Sequence, residues 1–164
     1  MSGLPAASLI HLLHKLVMAQ SSGNRYIVNQ PIQISDDTSY ISIPKHRNRS
    51  SSYSIWVIHI YEEVECFIHT HKQGWIVKEK ETGWGLHLVD GKPEFLGELS
   101  NGEQSKIAKF VGNQPMGLWH GYPSDYQRNL QDRPPINIML VWRDLCLVTK
   151  ADISKIKAGK PCKL

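Results

Sequence analysis

Residues 54–71, SIWVIHIYEEVECFIHTH, give the strongest β-strand pattern in the chain. Positions 55–61 are apolar on both faces, which is typical of a central strand. Glu62 and Glu63 interrupt this apolar run and predict a turn, after which 64–71 returns as a second strand. Because this hairpin is the strongest part of a series of sequential strands, it decides the fold that we expect for the whole chain.

Further short strands lie on both sides of this hairpin. Pro31 lacks a backbone N–H, so it restricts the first of them to an edge of the sheet. Gly83 separates two later strands, and Asp90 with Gly91 forms a turn after the second. Short sequential strands with tight turns predict an antiparallel sheet of about five strands. The other strand candidates are 25–34, 40–43, 75–80, 84–89 and 95–99.

Helices are predicted before and after this sheet. Residues 5–20 carry an apolar stripe at helical spacing. Ser100 and Glu103 stand three apart, as in a capping box, and predict a helix that ends near Gly112. Asp132 is placed to cap a helix over the following residues, and Thr149 is placed to cap a second one over 150–158.

These elements predict an α+β fold. Its order is an N-terminal helix, an antiparallel sheet of about five strands, a helix, a long ordered loop and a C-terminal helical hairpin. At 164 residues we expect a single domain over 1–164, mainly β in 24–99. Residues 100–164 would then hold the helix, the loop and the basic helical hairpin.

Composition excludes several classes of protein. No apolar run reaches the roughly 18 residues of a membrane span, and the N-terminus lacks the basic start of a signal peptide. Three cysteines without a CxxC pair disfavour a disulfide framework. No nucleotide-loop or EF-hand motif occurs. We therefore expect a cytoplasmic protein that does not act at a membrane and uses no cofactor.

Positive charge is concentrated in two segments. Residues 1–144 hold 14 Lys and Arg against 14 Asp and Glu, so the net charge of +4 comes entirely from 145–164. A second basic cluster begins at Lys45, in a Ser-rich segment expected to be a mobile loop. Such patches suit nucleic acid or another anionic partner, although a solvated surface has the same composition. The predicted nucleic-acid-binding residues are Lys45, Arg47, Arg49, Lys150, Lys155, Lys157 and Lys160.

The predicted functional loop is 117–135, GLWHGYPSDYQRNLQDRPP, which has neither a helical nor a strand period. His120 is its one side chain able to give and take a proton near neutral pH. Arginines can clamp a phosphate, and tyrosines offer phenols. The predicted catalytic residues are His120, Tyr122, Asp125, Tyr126, Arg128 and Arg133.

Two functions fit this loop. The first is action on nucleic acid or a nucleotide, as in a metal-independent, RNA-cleaving, toxin-like enzyme that uses His120 as acid and base. The alternative is a non-catalytic interaction subunit that docks a protein or nucleic-acid partner through 117–135 and the basic C-terminal hairpin. In that alternative the loop satisfies itself, with Asp125 and Arg128 as a local ion pair.

Histidines elsewhere offer a metal site as a lesser alternative. His69 and His71 would point to the same face of a strand, and a one-residue change of register would bring His59 to that face. No HExxH motif or carboxylate triad accompanies these histidines or His87. Ordinary sheet-surface histidines are the favoured interpretation, and we assign no metal ligands.

Overall fold

A computed structural model of the chain describes residues 26–49, 52–113 and 116–164. The predicted helix over 5–20 lies outside the described residues. The strands are β1 Pro31–Ser35, β2 Thr38–Ile41, β3 Ile55–Trp56, β4 Ile76–Val77, β5 Thr82–Val89, β6 Lys92–Glu94, β7 Gly97–Glu98, β8 Gln104–Ser105, β9 Ile107–Asn113 and β10 Leu118–Pro123. The helices are α1 Ile60–Lys72, α2 Ile136–Asp144 and α3 Lys150–Lys157, and 3-10 turns cover Pro44–His46, Lys78–Lys80 and Leu130–Asp132.

Six strands form a mixed sheet that curls into a half-barrel, in the order β1-β2-β10-β9-β5-β4. All neighbours in it are antiparallel except β2 and β10, which run parallel with Leu118 opposite Ser39. Strand β6 pairs with the end of β5, and β3, β7 and β8 form a small second sheet. The predicted antiparallel sheet of about five strands is therefore wrong, because the prediction paired only strands adjacent in sequence.

The hairpin predicted over 54–71 is wrong, because most of this segment is helix α1. The His59 side chain accepts a hydrogen bond from the Tyr61 N–H, and Glu62 Oε2 accepts one from the His59 N–H at 2.9 Å, so a capping box starts the helix. The buried positions then recur at helical spacing, at residues 63, 64, 66, 67 and 70.

Helix α1 packs closely on one face of the sheet. A Cβ on Gly85 of β5 would lie 2.0 Å from Thr70 Oγ1, so only glycine permits this approach. The Thr70 hydroxyl is held in place because it donates to the Cys66 carbonyl at 2.8 Å. The buried cluster between helix and sheet contains Tyr40, Trp56, Val64, Cys66, Phe67, Leu96, Ala108, Phe110 and Trp119.

The helix predicted from Ser100 is also wrong, since the segment forms a turn and strands β8 and β9. The Asn101 side chain accepts from the Glu103 N–H at 3.0 Å, which makes a local turn in place of a helix cap. Buried side chains of β9 then alternate between the two faces of the sheet, with Ala108 and Phe110 toward α1.

The two C-terminal helices form as predicted, on the other face of the sheet. The predicted cap of α3 is confirmed, since Thr149 Oγ1 accepts from the Asp152 N–H at 3.1 Å and Asp152 accepts from the Thr149 N–H. Helix α2 begins at Ile136 after Pro135, so Asp132 does not cap it. No described helix is long and apolar enough to cross a bilayer. The buried cluster on this face includes Trp84, Leu86, Ile107, Ile138, Met139, Trp142, Ile153 and Ile156.

Candidate functional site

Strand β10 carries His120 to the sheet face that α2 and α3 cover only in part. Residues 117–135 were predicted to be a loop, yet 118–123 alternate between half-buried and buried side chains as a strand does. Gly121 faces α1, because a Cβ there would lie 2.4 Å from the Phe110 ring. His120 and Tyr122 therefore point to the opposite face, where both stay half-buried.

The surroundings of the His120 imidazole favour its uncharged form near pH 7. Partial burial lowers the pKa of His120 below its ordinary value, and the Lys45 ammonium lowers it further. Within the described part of the chain, no hydrogen bond occupies either ring nitrogen of His120. A neutral and half-exposed imidazole with a free nitrogen can accept a proton from a bound molecule.

His46 lies beside this group, on the 3-10 turn that follows β2. Its Nδ1 donates to the Ser54 carbonyl at 2.8 Å, and its ring stacks on Tyr122 with centroids 5.2 Å apart. Burial lowers the pKa of His46, and the nearby Lys45 and His120 lower it further. We call Lys45, His46, His120 and Tyr122 the two-histidine site.

An ion pair beneath this site ties the following segment to the sheet. Lys109 of β9 and Asp132 are both buried, and Lys109 Nζ lies 3.1 Å from Asp132 Oδ1 and donates to the Gln131 carbonyl at 2.7 Å. The Tyr122 hydroxyl also donates to Asp132 Oδ1, at 3.1 Å. Burial and the Asp132 carboxylate raise the pKa of Tyr122, so its phenol stays protonated.

Other predicted catalytic side chains make structural contacts. Arg128 pairs with Asp125, whose Oδ2 lies 2.7 Å from Arg128 Nε. Arg133 donates to the carbonyls of Tyr126 and Lys157, at 2.9 Å and 3.0 Å, and so links this segment to α3. The buried Tyr126 hydroxyl donates to the Lys160 carbonyl at 3.2 Å.

Arg47, a predicted nucleic-acid-binding residue, contacts the buried side of the sheet. Its Nη2 forms an ion pair with Glu63 of α1, a fully buried carboxylate that also accepts from the Tyr40 hydroxyl at 2.7 Å and from the Ser42 hydroxyl at 2.9 Å. Burial raises the pKa of Glu63, while Arg47 opposes that rise. The segment after β2 is therefore anchored to α1, in contrast to the mobile loop predicted from its polarity.

The remaining predicted cations are exposed. Lys45 and Arg49 lie at the surface, and Lys45 Nζ lies over the Tyr53 ring at 5.0 Å from its centroid. Exposed lysines also cover the outer side of α3 and the residues after it, namely Lys150, Lys155, Lys157 and Lys160.

Two of the histidines considered for a metal occupy a helix, contrary to the strand prediction. His69 and His71 lie on α1, where residues two apart point to different sides. His59 caps the same helix, and His87 of β5 lies 3.8 Å from Glu62. In the described ranges, no three His, Cys, Asp or Glu side chains come together as a metal site.

Comparison with protein-family models, curated proteins and solved structures gives no match. The geometry of the two-histidine site is therefore the basis for assigning a function.

Sequence reasoning missed two members of this region. His46 stands in a basic run directly after a strand that ends near Pro44, and its neighbour Lys45 was selected for charge alone. Lys109 is a lone charge inside the apolar run of β9, a pattern that indicates a buried pair. The partner of such a charge lies far along the chain, so the sequence pattern does not identify it.

Proposed function

We propose that this is a small cytoplasmic enzyme that binds RNA on the open face of the half-barrel and cleaves it at the two-histidine site. The observation that supports this most is His120, a half-buried imidazole with a lowered pKa, Lys45 nearby and no hydrogen bond to its ring from the described residues. A general base that is mostly unprotonated at neutral pH, with a cation beside it, suits proton abstraction next to a phosphate.

The proposed reaction involves two oxygens of RNA, the 2′-oxygen and the 5′-oxygen of the next nucleotide. His120 takes the proton of the 2′-hydroxyl, and the 2′-oxygen forms a bond to phosphorus. The bond from phosphorus to the 5′-oxygen breaks, and that oxygen takes a proton from water at the open face. The products are a 2′,3′-cyclic phosphate and a 5′-hydroxyl, and the protonated His120 returns its proton to solvent.

Other residues have revised roles in this proposal. Lys45 replaces Arg128 and Arg133 as the cation on the phosphate, because both guanidinium groups are engaged with protein oxygens. Tyr122 lines the site as an uncharged phenol and takes no part in proton transfer, since its raised pKa makes it a poor acid. His46 holds Tyr122 by stacking and stays near His120.

The test uses three matched oligonucleotides: RNA, DNA of the same sequence, and RNA with one 2′-deoxy nucleotide at the cleaved step. The wild-type protein should cleave RNA to cyclic-phosphate ends, leave DNA intact, and spare the RNA at the deoxy position. Lys45→Gln should weaken cleavage, whereas Lys72→Gln, at the end of α1, should not. Equal cleavage of RNA and DNA would refute the 2′-oxygen as nucleophile.

A second candidate function is a non-catalytic subunit that docks a partner on α2. Helix α2 and its C-cap residue expose an apolar stripe whose side chains recur at helical spacing. Its members are 36–50% exposed and are Ile136, Leu140, Val141 and Leu145. Such a stripe is typical of an interaction surface. If the wild type neither cleaved nor bound RNA, this function would replace the first.

A further inference from the structure

We propose that Tyr53 is a base-stacking platform for single-stranded nucleic acid at the rim of the two-histidine site. This inference rests on the proposed function for the kind of substrate, but it concerns binding and does not depend on cleavage. It assigns a specific contact to a residue that the catalytic step does not use.

Three aromatic rings form a row that ends at Tyr53. The Tyr122 ring stacks on His46, with centroids 5.2 Å apart and planes 21° apart. The His46 ring meets Tyr53 nearly at a right angle, with centroids 5.8 Å apart. The middle ring, His46, is held in place because its Nδ1 donates to the carbonyl of Ser54, the residue after Tyr53. The row therefore runs from the sheet outward to a ring on a fixed support.

Tyr53 is the exposed member of this row. It keeps 44% of its surface open, while His46 keeps 5%. An exposed aromatic ring beside a reactive site offers a flat apolar surface on which any of the nucleobases can stack. By contrast, the rings of Tyr40 and Phe110 in the core are fully buried.

The charge around Tyr53 favours a nucleotide over an uncharged aromatic ligand. Lys45 Nζ lies 5.0 Å from the centre of the Tyr53 ring, and the same ammonium influences both histidines of the site. A single cation that contacts the ring and reaches the site can hold the phosphate next to a base stacked on Tyr53. The base and the phosphate of one nucleotide step would then bind together.

This geometry requires an unpaired base. A protein ring reaches the face of a base only when the base is not stacked between its neighbours in a duplex. The platform should therefore discriminate single strands from duplexes and should accept DNA as well as RNA. In the proposed reaction, only the 2′-hydroxyl distinguishes these two nucleic acids.

The test measures binding to single-stranded DNA, which lacks the attacking 2′-hydroxyl and stays intact. A fluorescein-labelled strand of about ten nucleotides covers one site. Its affinity is followed by fluorescence anisotropy at low salt for the wild type, Tyr53→Ala and Tyr53→Phe. The same strand annealed to its complement is measured in parallel, and circular dichroism verifies that each variant is folded. Val57→Ala, which removes another exposed apolar side chain, is the control for surface area.

Tyr53→Ala should raise the dissociation constant for the single strand about tenfold or more, whereas Tyr53→Phe should stay within about twofold. Val57→Ala should bind as the wild type does, and duplex binding should change in no variant. The proposal is overturned if Tyr53→Ala binds the single strand like the wild type. It is also overturned if Tyr53→Phe is as weak as Tyr53→Ala, or if the wild type does not bind single strands.

The two proposals fail separately. Stacking without cleavage would appear as normal wild-type binding, lost in Tyr53→Ala, with intact RNA at all times. Cleavage without stacking would appear as RNA cleavage by both the wild type and Tyr53→Ala at equal rates and equal affinities. Either result identifies which of the two assignments is wrong.

Discussion

The pair of Lys109 and Asp132 should be one of the strongest single contributions to the stability of this fold. Asp132→Ala removes a carboxylate that accepts from Lys109 Nζ, from the Tyr122 hydroxyl at 3.1 Å and from the Asp125 N–H at 3.2 Å. The side chains of Lys109 and Asp132 are only 9% and 5% exposed, so water cannot replace these bonds. The variant leaves a buried ammonium that, among the described residues, keeps a hydrogen bond to the Gln131 carbonyl and lies near the Trp84 and Tyr122 rings, but has no carboxylate partner.

Breaking a buried pair by removing one partner costs about 3–5 kcal/mol. For a chain of this length, each kcal/mol shifts the melting temperature by about 2–4 °C, so Asp132→Ala should melt roughly 6–20 °C lower. Lys109→Met should cost a similar amount, because the Asp132 carboxylate then loses its cation. The double variant should recover part of the loss, since neither charge is then left unpaired.

Urea denaturation followed by circular dichroism measures all three variants against the wild type. The reasoning is refuted if Asp132→Ala loses less than about 1 kcal/mol, the value of an exposed pair. It is also refuted if the losses of the single variants simply add in the double variant, since that result means that the two groups do not interact.

Three further predictions concern pH, helix packing and the exposed stripe. Burial lowers the pKa of His46 and His120 in the folded state. In the unfolded chain a histidine has a pKa of about 6.5, so near and below that pH the unfolded chain binds more protons than the folded protein does. As the pH is lowered from about 7 to about 5, the free energy of unfolding should therefore fall. Urea midpoints that stay constant or rise as the pH is lowered would contradict this. Gly85→Ala should destabilise the fold by about 1–3 kcal/mol, because its Cβ meets Thr70 Oγ1 at 2.0 Å. Thr70→Ala in the same chain should restore part of that loss, and a Gly85→Ala melting curve like the wild type would count against α1 on this strand. Leu140→Lys should change the free energy of unfolding by no more than about 0.5 kcal/mol and leave RNA cleavage unchanged, because its side chain is exposed. A fall in the cleavage rate would instead connect α2 with the site.

The sequence predicts elements whose ends carry local signals. Helix α3 was found because Thr149 and Asp152 cap it within four residues, and β1 was placed at a sheet edge because Pro31 cannot donate a hydrogen bond. Such signals depend on groups that are close in sequence, so no tertiary contact is needed to interpret them.

Helix α1 was missed because two patterns compete in the same residues. The β-branched and aromatic residues of 55–61 favour a strand, and β3 does use Ile55 and Trp56. From His59 onward a capping box and buried positions three and four apart favour a helix, and packing against Gly85 decides the outcome. The parallel pairing of β2 with β10 depends on contacts between distant residues, which no local pattern specifies.

The site could be predicted only in part for the same reason. His120 stood out by its chemistry, and in the structure it is half-buried with a lowered pKa, but its catalytic role stays a prediction. The Arg128–Asp125 pair is local and was foreseen in the alternative interpretation, but two other arginines selected for charge lie near groups that the sequence could not bring together. Arg47 reaches Glu63, sixteen positions later, and Arg133 reaches α3.

The most direct test of the proposed function is the single-turnover rate of RNA cleavage by the wild type and by His120→Gln, which keeps a polar side chain but cannot accept the proton. His71→Gln, an exposed histidine on α1 at the other face of the sheet, is the matched control. Loss of a general base predicts a rate about 10²–10⁴-fold lower for His120→Gln and an unchanged rate for His71→Gln. Equal rates in all three proteins, or no cleavage by the wild type, would contradict the assignment of His120 as the base.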